Sequence, residues 1–145
     1  MAIRTRLFIR ETHRIEQSQD GGFLLDGKVA LGTDGGIPKI EIERMDLMFD
    51  GNTVTVPVIF YRDVFEPSLI EKHFAIRLGD DPASLFVFMN GSDGAGSYQL
   101  LWVFRRDGNH SRFSVPCPDC QFIDFESGVL DAAAEQAAGF LKKHD

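Results

Sequence analysis

Cysteine is nearly missing from this 145-residue chain: there are two, Cys117 and Cys120, both in one C-x-x-C. Two thiols in a chain this long do not make a disulfide scaffold. Tryptophan occurs once, at Trp102, and there is no apolar run long enough to span a bilayer and no secretory apolar region. A cytoplasmic setting without membrane contact is the expectation. Positive charge is also short, with 15 Lys and Arg against 22 Asp and Glu and a net charge of −7. That balance argues against a nucleic-acid partner, which ordinarily meets a basic surface. G-x-S-x-G, H-E-x-x-H and the Gly-Lys-Ser/Thr ending of a phosphate loop are all absent. No spacing selects a nucleophile, a base and an orienting group, so an enzyme of unidentified chemistry is only the third reading.

What is abundant is turn punctuation. Asp-Gly occurs six times, at 20–21, 26–27, 34–35, 50–51, 93–94 and 107–108, with Asn90-Gly91 beside them. Asp-Gly between apolar runs signals hairpins, and repeated turns between short strands signal antiparallel sheet. Alternation then predicts strands at 3–10, 22–25, 28–31, 39–49, 53–61, 73–78, 84–89, 97–106 and 109–115. The first 14 residues hold four arginines against one glutamate, yet they alternate as a strand does rather than as a transit peptide. Within 39–49 the apolar phase changes from Ile40 and Ile42 to Met45, Leu47 and Phe49, which places a β-bulge near Arg44. Pro57 cannot donate to a ladder, so 53–61 reads as an edge or a bulged strand. Residues 84–89 are apolar on both phases and read as a central strand covered on both faces.

The strongest hairpin signal runs from Tyr98 through Trp102 and Phe104 to Asp107-Gly108 and back along His110 to Val115. A two-residue turn there pairs Trp102 with Phe113. At the C-terminus, Val129, Leu130, Ala133, Ala134, Ala137, Ala138 and Leu141 form a stripe at helical spacing, so 128–143 is expected to be an amphipathic helix. The expectation is a single α+β domain over residues 1–145. Eight or nine mainly antiparallel strands form a curved sheet, sandwich or half-open barrel, with one C-terminal helix packed on it. A small β-sandwich without the helix on the sheet is the alternative.

Three stretches could carry function. Arg105, Arg106, His110 and Arg112 form a cationic cluster on an acidic chain, suited to a carboxylate, a phosphate or an acidic partner. Equally, these cations could pair with the chain's own acids. Asp93, Gly94 and Gly96 lie in a glycine-rich loop that could cradle an anion, although a flexible connection explains the glycines as well. Cys117 and Cys120 could hold zinc or form a redox pair, but one C-x-x-C is half a zinc site. His110 lies seven residues away, roughly 23 Å along a straight strand at ~3.3 Å per residue. A turn with structural thiols is the simpler account. No cofactor is expected, with zinc as the alternative. The reading is a non-catalytic binding or interaction module for a protein partner or a small anionic ligand, in a chain that could pair as a homodimer. A metal- or redox-linked protein using the two cysteines is the alternative.

Overall fold

The computed structural model describes residues 1–18, 23–70, 73–79, 83–91 and 96–116. Ten strands run through them in order: β1 (Ala2–Leu7), β2 (Ile15–Gln17), β3 (Phe23–Leu25), β4 (Lys28–Val29), β5 (Ile40–Phe49), β6 (Asn52–Thr55), β7 (Phe74–Leu78), β8 (Ser84–Gly91), β9 (Tyr98–Arg105) and β10 (Ser111–Pro116). All strand pairing is antiparallel, in three separate sheets: β1-β5-β6, β2-β3-β4 and β10-β9-β8-β7. Short 3-10 turns lie at Arg10–Thr12 and Val58–Phe60.

This corrects the expected architecture. Three separate sheets replace the single curved sheet, sandwich or half-open barrel. The α+β class gives way to mostly antiparallel β, because no α-helix occurs among the described residues. The stretch 128–143, expected as a C-terminal helix, lies outside those residues. Among them no helix is long and apolar enough to cross a membrane.

One reason for the division lies at Pro57. The ladder of β6 ends at Thr55, apart from one further bond from Val56 N to Met45 O (2.9 Å). Pro57 has no N–H to continue it, and the chain turns into the 3-10 segment that follows. The strand expected through Tyr61 therefore stops early. Isolated bridges of Leu31 with Val64 and of Glu41 with Phe65 tie the segment after Pro57 to the chain beyond β4 and to β5.

Other features follow the sequence pattern closely. In β5 the register changes between Arg4–Arg44 and Thr5–Ile42, leaving Glu43 as the extra residue of a bulge. The bulge lets Ile42 on one side of it and Met45 and Leu47 on the other all face inward. β8 lies between β7 and β9, and all eight of its residues are buried. The main core joins Ile42, Met45 and Leu47 of β5 to Leu85, Val87 and Met89 of β8 and to Leu100, Trp102 and Phe104 of β9. Phe86, Phe88 and Val103 form a second cluster, with Phe113 packed against it.

The β9–β10 hairpin differs by one residue from the expected register. Val103 faces Ser111, Trp102 faces Arg112 and Leu101 faces Phe113, so Trp102 does not meet Phe113. Turn chemistry explains the shift. Asp26-Gly27 and Asp50-Gly51 both hold positive φ at each residue (54° and 77°, 48° and 79°), as a two-residue type I′ turn requires. At the third hairpin only Gly108 is left-handed (φ 87°), and Gly108 N bonds Arg105 O at 3.1 Å. That is the longer connection, a type I turn followed by a left-handed residue. Asn109 helps to select it, donating its backbone N–H and its Nδ2 to the two Asp107 carboxylate oxygens, each at 2.9 Å. Replacing Gly108 by Val places a β-branched residue at positive φ and should cost about 1–2 kcal/mol. A urea-unfolding midpoint unchanged by Gly108→Val would contradict this turn.

Candidate functional site

At the hairpin end, the four expected cationic residues do not form one patch. Arg112 turns inward and holds Asp63 with both arms, Nη1 to Oδ1 at 2.5 Å and Nη2 to Oδ2 at 2.7 Å; Nη1 also donates to Phe60 O at 3.2 Å. Asp63 is 5% exposed. Burial alone would raise its carboxyl, but the hydrogen bonds and charge of Arg112 outweigh burial and hold it below the ordinary value. Arg106 pairs at the surface with Asp50 at 2.7 Å. His110 sits edge-on to Phe60 and Phe104, with centroids 5.7 and 5.3 Å away. Its partial burial lowers its pKa despite the opposing charge of Asp107, favouring the neutral ring. Arg105 and Arg106 remain together, lining a shallow depression of about 430 Å3 with Ala83 and Asp107.

A second cluster, which no sequence spacing marked, centres on His13. Its Nδ1 lies 2.8 Å from Asp26 Oδ2 and its Nε2 lies 2.6 Å from Glu41 Oε2. Ionised carboxylates only accept, so each ring nitrogen must donate for both bonds to form. Arg6 Nε binds the other oxygen of Glu41 at 2.5 Å, and Arg14 N donates to Asp26 Oδ1 at 2.9 Å. The ring stacks on Phe8, with centroids 4.7 Å apart, and meets the edge of Phe65. With both nitrogens occupied, His13 is poorly placed to take a proton from a substrate. Its two carboxylates lie on separate ring nitrogens rather than converging on one point. It acts as a clamp between the β3–β4 turn and β5. By sequence Glu41 falls on the polar phase opposite Ile40 and Ile42, so its burial to 4% exposure had no local signal.

A cleft of about 620 Å3 opens between residues 32–40 on one side and Glu66, Pro67, Ser68, Ile70 and His73 on the other. Its lining mixes apolar Ile37, Pro38, Ile40, Pro67 and Ile70 with polar Thr33, Asp34, Lys39, Glu66, Ser68 and His73. Glu66 holds a left-handed backbone (φ 46°), a conformation that costs a non-glycine residue roughly 1 kcal/mol. It is fixed there by Glu66 N donating to Ile40 O at 3.0 Å, and by its Oε1 accepting from Lys39 N and from Ile40 N (3.2 Å). Its charge also lies near Tyr98, whose phenol is raised first by burial and then by that charge. Tyr98 OH donates to Phe65 O at 3.0 Å. Ser68 Oγ lies 2.7 Å from His73 Nδ1, the contact of a nucleophile with a base. The cleft's two carboxylates are already engaged by backbone amides, Glu66 as above and Asp34 by Gly96 N.

Gly96 is the member of the expected glycine-rich site that lies within the described residues. It packs at this rim, where a Cβ would stand 2.6 Å from the Thr33 backbone. Asp93 and Gly94 of that loop, and Cys117 and Cys120, lie outside the described residues. Among those described, no group of three His, Cys, Asp or Glu side chains is arranged to hold a metal ion. No known family, curated protein or solved structure matches the chain.

Removing Asp63's charge while keeping its shape, by Asp63→Asn, strands Arg112 and should cost about 3 kcal/mol. The linkage sign is definite. A carboxyl held below its ordinary 3.8 stabilises the fold fully above that pH, and the contribution disappears as pH falls through the lower folded-state value. Asp63→Asn should therefore flatten the acid limb of a stability–pH curve below about pH 4. An acid limb identical to that of the parent protein would refute the assignment.

Proposed function

We propose that the chain is a non-catalytic binding module that recognises a protein partner through the cleft between residues 32–40 and 66–70. The supporting observation is its lining of water-exposed aliphatic residues. Ile37, Ile40 and Ile70 are 46%, 38% and 50% exposed around one concavity. Exposed aliphatic groups gathered at a concave site mark interaction surfaces far better than scattered ones do. Catalysis is less well supported, because the ionisable groups with fixed geometry are engaged with the protein itself. A cytoplasmic setting belongs to the same reading.

Nile red, an uncharged apolar dye, tests the cleft without presupposing a partner. Its fluorescence should rise with the native protein and fall back with Ile70→Asp, which alters a half-exposed residue and should shift stability by only about 0.5 kcal/mol. Equal fluorescence from the parent and Ile70→Asp would remove the cleft from consideration.

A second reading, a small anionic ligand, is favoured at the hairpin end by the depression beside Arg105 and Arg106. Arg112 plays no part in it, being held by Asp63. Inorganic phosphate should shift the amide resonances of 105–107, and the Arg105→Glu, Arg106→Glu pair should abolish that shift. Phosphate shifts that survive the double substitution would exclude this site.

A further inference from the structure

Resting on the cleft reading, we infer that the natural occupant of the cleft is a basic, aliphatic-anchored segment of a partner protein. Among the described residues of the lining, the formally charged ones are Asp34 and Glu66 against Lys39, an acidic excess. The exposed Ile37, Ile40 and Ile70 provide the apolar contact. An aliphatic side chain seated among them brings its neighbours past the rim where Asp34 and Glu66 lie. A lysine or arginine there meets a carboxylate, whereas an acidic neighbour meets like charge. The whole chain adds to this preference, because a net charge of −7 attracts a basic partner at long range and speeds its encounter.

Glu66 makes the preference specific. Its Oε1 takes the amides of Lys39 and Ile40, and that anchoring holds the carboxylate at the cleft despite the unfavourable φ of its backbone. A glycine in its place would adopt the same φ more easily, so the side chain rather than the turn accounts for the residue. The amide-bound oxygen survives in a Gln, and the oxygen of Asp34 that takes Gly96 N survives in an Asn. Charge is therefore separable from structure at both positions.

The test uses three short peptides with the same leucine anchors, flanked by Lys and Arg, by Glu and Asp, or by Gln and Ser. Each is titrated into isotope-labelled full-length protein and followed by amide chemical shifts. The basic peptide should move resonances within 32–40 and 66–70 and bind about tenfold tighter than the neutral one. Higher salt should shrink that advantage. In the Asp34→Asn, Glu66→Gln double variant the basic peptide should lose its advantage over the neutral one, both measured on that same variant. If the neutral or acidic peptide matches the basic one at the cleft, the inferred charge preference is wrong and the binding cleft stands. The charge preference is equally wrong if the double variant leaves the basic peptide's advantage intact. If none of the three moves the cleft resonances, both the occupant and the cleft reading fail.

Discussion

The buried pair of Arg112 and Asp63 is the interaction on which the arrangement of the sheets turns. Asp63 lies in the short segment after Pro57, which belongs to no sheet and touches all three. Its carboxylate takes the guanidinium from β10, and its backbone carbonyl accepts Leu31 N at 2.8 Å, at the end of the small β2-β3-β4 unit. Three residues earlier, Phe60 O accepts from both Trp102 Nε1 (2.9 Å) and Arg112 Nη1. Val56 and Tyr61, on either side of Phe60, join the core shared with β5. A charge pair so shielded from water requires near-complete hydrogen bonding to offset desolvation, and the bidentate geometry supplies it.

That fixed segment also sets one wall of the cleft. Phe65 N donates to Leu31 O at 2.9 Å, and Phe65 O receives the Tyr98 hydroxyl. Phe65 is fully buried beside Phe8. Glu66 thus leaves the core from an anchored neighbour, and its left-handed backbone turns the chain toward Pro67 and Ser68. On the opposite wall, Lys39 and Ile40 are held by the same Glu66 carboxylate. The His13 clamp acts one residue further along β5, at Glu41. Each wall is tied down next to the place where it opens to solvent, which favours a preformed concavity over one that closes on a ligand.

What could be read from the chain followed from local chemistry. Asp-Gly turns, the phase change that produces the bulge at Glu43 and the doubly apolar β8 need only a residue and its near neighbours. The hairpin register failed for a reason visible afterwards: Asp107-Gly108 supports either a two-residue or a longer turn, and Asn109 tips the balance through the Asp107 carboxylate. One residue of slip reverses a strand's faces, so Arg112 rather than Phe113 came opposite Trp102 and into reach of Asp63. His13, Asp26 and Glu41 meet only through tertiary folding, and no periodicity relates positions so far apart. The cleft was equally silent, because nothing local relates Ile37, Ile40 and Ile70 until folding gathers them around it. The division into separate sheets was signalled by Pro57, but a proline says where a ladder ends, not where the chain goes next.

The distribution of satisfied polar groups bears on function. An acid–base catalyst needs a titratable group whose working atom faces substrate. Among the described residues, both His13 nitrogens are bound by carboxylates, and His110 lies against aromatic rings with its Nδ1 toward the Arg105 amide at 3.4 Å. Asp63 is locked by arginine. Among the described residues the apolar groups show the opposite condition, with aliphatic side chains left in water around a cleft whose walls are held firmly. Polar contacts hold the walls of the cleft, and Ile37, Ile40 and Ile70 stay exposed around it. That combination is what the proposed recognition of another surface would use.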